Sequence, residues 1–282
     1  MSELKFRKIH VDSRLRSSGT SNNFEYSLAE TFDTPEGTIC YVDNVVLPHS
    51  WSSIDTTNNW LYIAERVGAG PSYTYTVRKL ELTTGNFSGT TYRTALLTAL
   101  NHNTPTGVPA SYTALYILTT NKVIIASPDT DNVKFHFLTD DELKIYNNSP
   151  NIVNKNENRS GNGVLRNREG GFSSSADGYE YFTDWTSGFL DLLSHHSVYI
   201  SSSLASFNTL GPMGQSDIVC KVPVNSSYGS TIHHSVSSAQ DFIEVGHRTI
   251  TSISFSILDA YSRPINLEGA SWSLSLVFAI RE

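Results

Sequence analysis

Residues 249–257 (TITSISFSI) and 271–280 (SWSLSLVFAI) carry the pattern that determines the fold class. Large apolar residues alternate with serine in both stretches, so every second side chain points to the same face. This period of two is typical of antiparallel strands that bury one face and leave the other polar. The serines on the polar faces are Ser252, Ser254, Ser256, Ser273 and Ser275.

Similar strand patterns continue towards the N-terminus. Further strands are predicted at 24–28, 38–47, 60–63, 73–82, 112–118, 122–126, 133–138, 197–201 and 217–224. Residues 91–102 (TYRTALLTALNH) instead have apolar residues at helical spacing and are predicted as a short surface helix. Eight or more strands with one short helix, and no internal repeat, predict an all-β, antiparallel two-sheet sandwich rather than a propeller or solenoid.

The organisation of the chain is predicted as an extended polar N-terminal arm, residues 1–23, followed by a single domain, residues 24–282. A strand-rich insertion or loop region is expected within residues 58–190 of this domain. The segment 147–168 contains eight asparagines and few apolar residues, which predicts a long loop. Two interpretations of that loop stay open: a solvent-exposed insertion, or an ordered contact loop that faces a partner.

Composition supports a β protein with close neighbours. The 282 residues include 39 Ser, 27 Thr and 21 Asn, and 11% of the chain is aromatic, which excludes a coiled coil and a disordered chain. Charged residues make up only 17%, against roughly 25% in an ordinary soluble domain. Sheet faces with so few charges suit a protein surrounded by neighbours better than one free in solution.

The net charge of −7 gives no basic field that would attract nucleic acid to the whole molecule. The N-terminal arm is a local exception, because it carries Arg7, Lys8, Arg14 and Arg16. It is either a solvated terminus or a segment that lies along a neighbouring subunit or an anionic surface. Charges spread this thinly predict at most weak, salt-sensitive contact with nucleic acid.

Catalytic motifs are missing from the sequence. It contains no G-x-S-x-G, no phosphate-binding glycine loop and no H-x-H pair, and the adjacent histidines 195–196 and 233–234 would point to opposite faces of a strand. The acidic run 140–142 is predicted as a solvated turn rather than a calcium site. We therefore expect no enzymatic activity, no catalytic residues, no cofactor and no metal. No secretory signal follows Met1, and no apolar run predicts a membrane span.

Five segments in order resemble a known family. These are HVDSRLRSSGTSNNF (10–24), VVLPHSW with the following ID and NN (45–59), LTTGNF (82–87), IVCKVPV with the following YG (218–229), and ILDAYSRPINLEGASWSL (257–274). They are similar to motifs of the penton-type single jelly-roll minor capsid proteins of virophages, polinton-like viruses and related large double-stranded DNA viruses. Ser262 departs from the pattern, since the family usually has glycine at that turn position. The family's L-G-F segment and the Asn-rich loop have no match.

The resemblance implies a jelly-roll sandwich of eight main strands that assembles as a homopentamer and closes the fivefold vertices of an icosahedral capsid. It implies a virion protein, made in the host cytoplasm or a virus factory, whose partners are its own copies and the major capsid protein. Outward loops would be free to bind a fibre or a host receptor. Arg7, Lys8, Arg14 and Arg16 would contact neighbouring capsid subunits. The serine rows would either face another subunit or simply form the solvent face of a sheet.

Two other functions are compatible with a sandwich of this composition. One is a jelly-roll attachment protein that binds a receptor or a glycan, in which Trp51, Trp60 and Trp185 would stack on sugars. The other is a cupin-like enzyme with a bound metal, although the H-x-H pattern of such enzymes is missing.

Overall fold

The computed structural model describes residues 6–68, 73–145, 160–165, 181–205, 209–235 and 242–280. The strands are β1 (Phe6–Asp12), β2 (Ser18–Thr20), β3 (Asn23–Thr34), β4 (Thr38–Pro48), β5 (Trp60–Val67), β6 (Thr74–Glu81), β7 (Thr113–Ile117), β8 (Lys122–Ala126), β9 (Val133–Phe137), β10 (Asp184–Thr186), β11 (Ser197–Ser202), β12 (Ile218–Pro223), β13 (Thr231–Ser235), β14 (Ile243–Glu244), β15 (Arg248–Leu258) and β16 (Ser273–Ile280). The helices are α1 (Gly89–Asn101), α2 (Asp140–Ile145) and α3 (Asn162–Leu165).

The chain forms two compact units. The first, which we call the sandwich unit, combines Met1–Trp51 with His195–Glu282, and the second, the insertion unit, is Ser52–Ser194. Both units consist mainly of antiparallel sheets. The insertion unit spans the range 58–190, in which the sequence analysis expects a strand-rich insertion of a single domain.

The sandwich unit is a jelly roll. One sheet has the order β1-β16-β4-β13, with β14 also paired to β4, and the other has the order β12-β11-β15-β3-β2. Without the short strands β2 and β14, eight main strands remain. Numbered one to eight along the chain, they give the sheet orders 1-8-3-6 and 5-4-7-2. This is the arrangement of a jelly roll, in which two four-stranded sheets form the sandwich. The predicted fold class is confirmed.

The two stretches that predicted the sandwich are β15 and β16, and their apolar rows fill its core. Phe255 packs against Phe24 and Trp272, with ring centroids 5.6 Å and 6.3 Å away. The alternation ends before the end of β16, because Val277 is buried and Ile280 is 37% exposed. The pairing of β16 with β4 shifts register between Ser275 and Leu276, where Asp43 is the extra residue on β4, so the inward row of β16 keeps its phase from Trp272 to Phe278.

The first jelly-roll strand lies inside the segment predicted as an extended arm. β1 pairs antiparallel with β16 from Phe6 to Asp12, so residues 6–12 are an edge strand. Only Val11 of this strand is buried, which explains why the sequence shows no period-two alternation there. The structure therefore differs from the predicted boundary between arm and domain at residue 23.

The insertion unit contains two three-stranded sheets, β6-β5-β9 and β10-β8-β7, and helix α1. The predicted helix is confirmed, but it begins at Gly89 because Ser88 caps it in a capping box with Thr91. Its buried residues Tyr92, Leu96 and Leu100 join a core with Phe135 and Phe137. The unit therefore has a hydrophobic core of its own.

Two short helices were not predicted. The acidic run 140–142 begins α2 and is not a solvated turn, because Glu142 is buried and caps the helix together with Thr139. Asn162–Leu165 forms α3 within the predicted Asn-rich loop, and Val164 and Leu165 reach the core. Residues 147–159 and 166–168 of that loop, and the following segment 169–180, lie outside the described residues.

Candidate functional site

The four basic residues predicted to contact neighbours all have partners within the chain. Arg7 pairs with Glu30 at 3.4 Å, and Lys8 pairs with Asp43 at 2.7 Å. Arg14 binds both carboxylate oxygens of Asp12. Arg16 donates to the carbonyl oxygens of Ser13 and Gly19 at 2.8 Å and 3.1 Å.

Two of these ion pairs change the titration of their acids. The hydrogen bond from Arg14 holds the pKa of Asp12 below its usual value, and the hydrogen bond from Lys8 does the same for the pKa of Asp43. Arg7 also lies over the Phe32 ring at 4.8 Å and so ties β1, at the edge of one sheet, to β3 in the other. The basic residues thus stabilise the edge of the sandwich through contacts within the chain. Their contact with other subunits stays a prediction.

The predicted serine rows are not equivalent. On β15, Ser252 donates to Glu25 at 2.5 Å and Ser256 donates to Asn23 at 3.0 Å, both across the strand pair with β3. Ser254 is exposed and its backbone N–H donates to the Ser203 hydroxyl. These hydroxyls mainly bind their neighbours on the sheet.

On β16, Ser275 is buried and its hydroxyl lies 2.9 Å from Nδ1 of His10 on β1. Ser273, opposite Asp12 and Val46, is half-buried. Ser275 therefore has no surface to offer a neighbour, whereas Ser254 has one. Whether the exposed serine faces another subunit stays a prediction.

The motifs that carry the family resemblance meet one another in space. Ser13 and Trp272 form a reciprocal pair, in which the Ser13 N–H donates to the Trp272 carbonyl and the Trp272 N–H donates to the buried Ser13 hydroxyl, each at 2.9 Å. The Trp272 indole N–H donates to the Ser21 carbonyl at 2.6 Å. The first and last motifs are therefore joined across the sandwich, which is a structural role.

The internal motifs are joined in the same way. Ile54 and Gly85 form a two-bond backbone bridge at 3.0 Å and 2.8 Å in the insertion unit. In the sandwich unit, the Gly229 N–H donates to the His49 carbonyl at 2.8 Å, and His49 Nδ1 lies 2.8 Å from the Ser226 carbonyl oxygen. Backbone hydrogen bonds thus hold together segments that are far apart in sequence. The motif residues hold junctions of the fold together.

The tryptophans considered for sugar stacking are poorly placed for it. Trp51 and Trp185 are buried. Trp60 is half-buried, and the Lys79 ammonium lies 4.0 Å from its ring centroid, over the face that a sugar would need. None of the three therefore presents an open ring to solvent.

An exposed apolar face occurs on the β10-β8-β7 sheet of the insertion unit, opposite the side that packs into the core. Its central row is Leu115, Ile124 and Thr186, paired in register, and Leu115 is 61% exposed. Charged residues lie only at the two ends, Lys122 and Asp184. Such a face is typical of an interaction site. The sequence contains a signal for it, because 114–118 (ALYIL) and 122–126 (KVIIA) are apolar on both faces of their strands.

Within the described part of the chain, no three His, Cys, Asp or Glu side chains come together in a way that could hold a metal ion. The adjacent histidines His233 and His234 lie on β13, an edge strand of the sandwich. Among the same residues, no helix is long and apolar enough to cross a membrane.

The sheet orders of the sandwich unit define the single jelly-roll class, and a solved structure extends the likeness to nearly the whole chain. The crystal structure of the mavirus penton protein is similar over 98% of this chain and 99% of its own, with a TM-score of 0.55 and 10% sequence identity. A chain in the 3.5 Å cryo-EM structure of the Sputnik virophage matches 98% of this chain and 97% of its own, with a TM-score of 0.47 and 12% identity.

No protein-family model matches the sequence, and no curated protein matches it. At 10% identity, the likeness to the mavirus penton protein shows the fold. The fold implied by the sequence resemblance is thereby confirmed.

Proposed function

We propose that the chain is a structural virion protein, a penton that forms homopentamers and closes the fivefold vertices of an icosahedral capsid beside the major capsid protein. The observation that carries the proposal is the fold likeness to the mavirus penton protein, which covers 98% of this chain and 99% of that one. A likeness confined to the jelly roll would fit many viral proteins. This one also includes the insertion unit.

The exposed apolar face of the β10-β8-β7 sheet supports self-association. Leu115, Ile124 and Thr186 form an uncharged row that would be covered by a second copy of the chain. The low content of charged residues, 17%, agrees with a protein that has close neighbours.

The test is the mass of the purified chain at high concentration, measured by light scattering, together with electron microscopy. We expect fivefold rings, and we expect the chain in purified particles. Leu115→Asp combined with Ile124→Asp should shift the protein towards monomers, because charges would be buried in the contact. Leu210→Asp, at a 76% exposed position of the sandwich unit, is the matched control and should still assemble.

A monomer at all concentrations that is also absent from purified particles would contradict the penton proposal. Assembly by the Leu115/Ile124 double variant would leave the penton proposal standing but show that another surface makes the contact.

A further inference from the structure

A second face of the insertion unit combines cations with exposed aromatic rings. It lies on the outer side of the β6-β5-β9 sheet, where Arg66 of β5 is directly opposite Lys134 of β9 and Tyr75 of β6. The Arg66 guanidinium lies over the Tyr73 ring at 4.3 Å and over the Tyr181 ring at 5.1 Å. We call these five residues the cation–tyrosine face.

The rings form a corner rather than a flat platform. Tyr73 and Tyr75 have ring centroids 6.3 Å apart and are inclined by 59°, and Tyr75 lies 6.0 Å from Tyr181. Tyr73 and Tyr75 are 37% and 41% exposed, which is high for side chains of this size. Exposed tyrosines fixed beside an arginine are typical of binding surfaces, because they supply contact area at a low cost in conformational entropy.

The two cations of this face have no acidic partner within the described part of the chain. In the described residues, Arg66 and Lys134 form no ion pair with any carboxylate, whereas Arg7, Arg78 and Arg263 each do. Like charges directly opposite each other on paired strands repel, and the chain as a whole has a net charge of −7. An acidic residue nearby would be the ordinary way to relieve this repulsion.

One acid on the same side of the sheet already has partners of its own. Glu142, which packs on the same side of the sheet, holds both its oxygens on His136 and also accepts from Thr139. Two tyrosine rings lie against the Arg66 guanidinium, but no described residue accepts a hydrogen bond from its in-plane N–H groups, which form the fork that recognises carboxylates. Arg66 and Lys134 are therefore held side by side and are available to bind an anion from outside the chain.

We propose that the cation–tyrosine face binds a carboxylate-bearing saccharide. Arg66 and Lys134 bind the carboxylate, and the exposed ring of Tyr75 packs on the apolar side of the sugar ring. The inclined tyrosines suit a puckered ring better than a stack of flat bases, which needs parallel platforms. A net charge of −7 also opposes a polyanion more strongly than a ligand with one charge.

The experiment uses the full chain and ligand-observed NMR titration with sialyllactose, with lactose as the uncharged counterpart. We expect binding of sialyllactose and none of lactose. Lys134→Gln should weaken binding about tenfold, because it removes one charged partner of the carboxylate. Tyr75→Ala should weaken binding by a similar factor of about ten through lost ring contact. Lys122→Gln, on β8 of the same unit, is the matched control and should bind normally.

Arg66→Gln is expected to abolish binding, and its thermal unfolding midpoint is measured alongside, since the arginine also holds two rings. Lys134→Gln removes a charge without removing the arginine that holds the two rings. A loss of binding in this variant therefore reports on the charge and not on a change in folding. Equal binding of lactose, no binding of sialyllactose or a glucuronate oligosaccharide, or an unchanged affinity in Lys134→Gln would each overturn the proposal. So would preferential binding of single-stranded DNA or an acidic peptide at this face. The titration measures sugar binding by the chain whatever its oligomeric state. A negative result in it therefore leaves the penton proposal intact.

Discussion

Ser262 adopts a left-handed backbone conformation, with φ of 62°, in the turn between β15 and β16. Asp259 organises the turn, since its carboxylate accepts from the backbone N–H groups of Tyr261 and Arg263 and from the Arg263 guanidinium at 2.7–2.8 Å. A side chain at a left-handed position costs about 1 kcal/mol relative to glycine. The Ser262 hydroxyl is buried and has no hydrogen-bond partner, so it does not repay this cost.

Ser262→Gly is therefore expected to raise the free energy of unfolding by about 1 kcal/mol. The backbone bond from the residue 262 N–H to the Asp259 carbonyl is retained in the variant. Urea unfolding of the full chain measures the effect. Ser271→Gly, at an exposed loop position without positive φ, should not be stabilised, and a destabilised Ser262→Gly would show that the hydroxyl contributes to the turn.

The sequence could anticipate Ser262 only through the resemblance, in which glycine is usual at that position. It could not anticipate the partners of Arg7 or Ser275. Glu30 and His10, which they contact, are far away in sequence and come close only after strands pair. Side-chain pairing therefore follows the topology rather than the local pattern.

At the scale of elements, a buried ionic network anchors helix α1 to the sheet below it. Arg78 of β6 donates to both oxygens of Glu65 at 2.8 Å and 2.9 Å, and also to the carbonyls of Leu100 and His102 at the end of the helix. Tyr112 donates to the same carboxylate at 2.8 Å. Burial, and next the Glu65 carboxylate, raise the pKa of Tyr112, so its phenol stays protonated and remains a donor.

Arg78→Met is expected to lower the free energy of unfolding by about 3–5 kcal/mol, because it leaves the fully buried Glu65 carboxylate without its counter-ion. Chemical denaturation of the full chain is the measurement. Glu30→Gln, which breaks the exposed ion pair with Arg7, is the matched control and should change stability little. A small effect of Arg78→Met would mean that Glu65 becomes protonated or hydrated in the variant.

Helix α2 makes stability depend on pH. Burial alone would raise the pKa of Glu142, but hydrogen bonds from His136 and Thr139 outweigh it and hold that pKa below its ordinary value of 4.5. The carboxylate therefore contributes stability that is present above pH 4.5 and is lost as pH falls through the lowered pKa.

Glu142→Gln should accordingly be less stable than the unmodified chain near neutral pH, and the gap should narrow as the pH falls below 4.5. Unfolding midpoints measured across this range test the prediction. Glu36→Gln removes one exposed carboxylate in the sandwich unit and serves as the control. A gap that stays constant with pH would show that Glu142 acts only as a helix cap.

At the scale of the whole molecule, each unit has its own hydrophobic core. We expect calorimetry of the full chain to resolve more than one unfolding transition, because two separate cores need not melt together. Ser13→Ala removes the acceptor for the buried Trp272 N–H and should lower the transition of the sandwich unit. Arg78→Met should lower the other. A single transition that both substitutions shift equally would contradict two independently melting cores.

The all-β class, the inward rows of β15 and β16, and helix α1 could all be predicted from the sequence, because period-two and helical spacing state locally which face is buried. Three features became visible only in the folded chain: residues 6–12 form an edge strand, Ser13 contacts Trp272, and Arg66 lies opposite Lys134 on the neighbouring strand. An edge strand buries too little to show alternation, and charges on separate strands meet only through pairing. The hydrophobic period of a segment indicates which of its residues are buried. The jelly roll and its surfaces depend instead on which segments, distant in sequence, pair with each other.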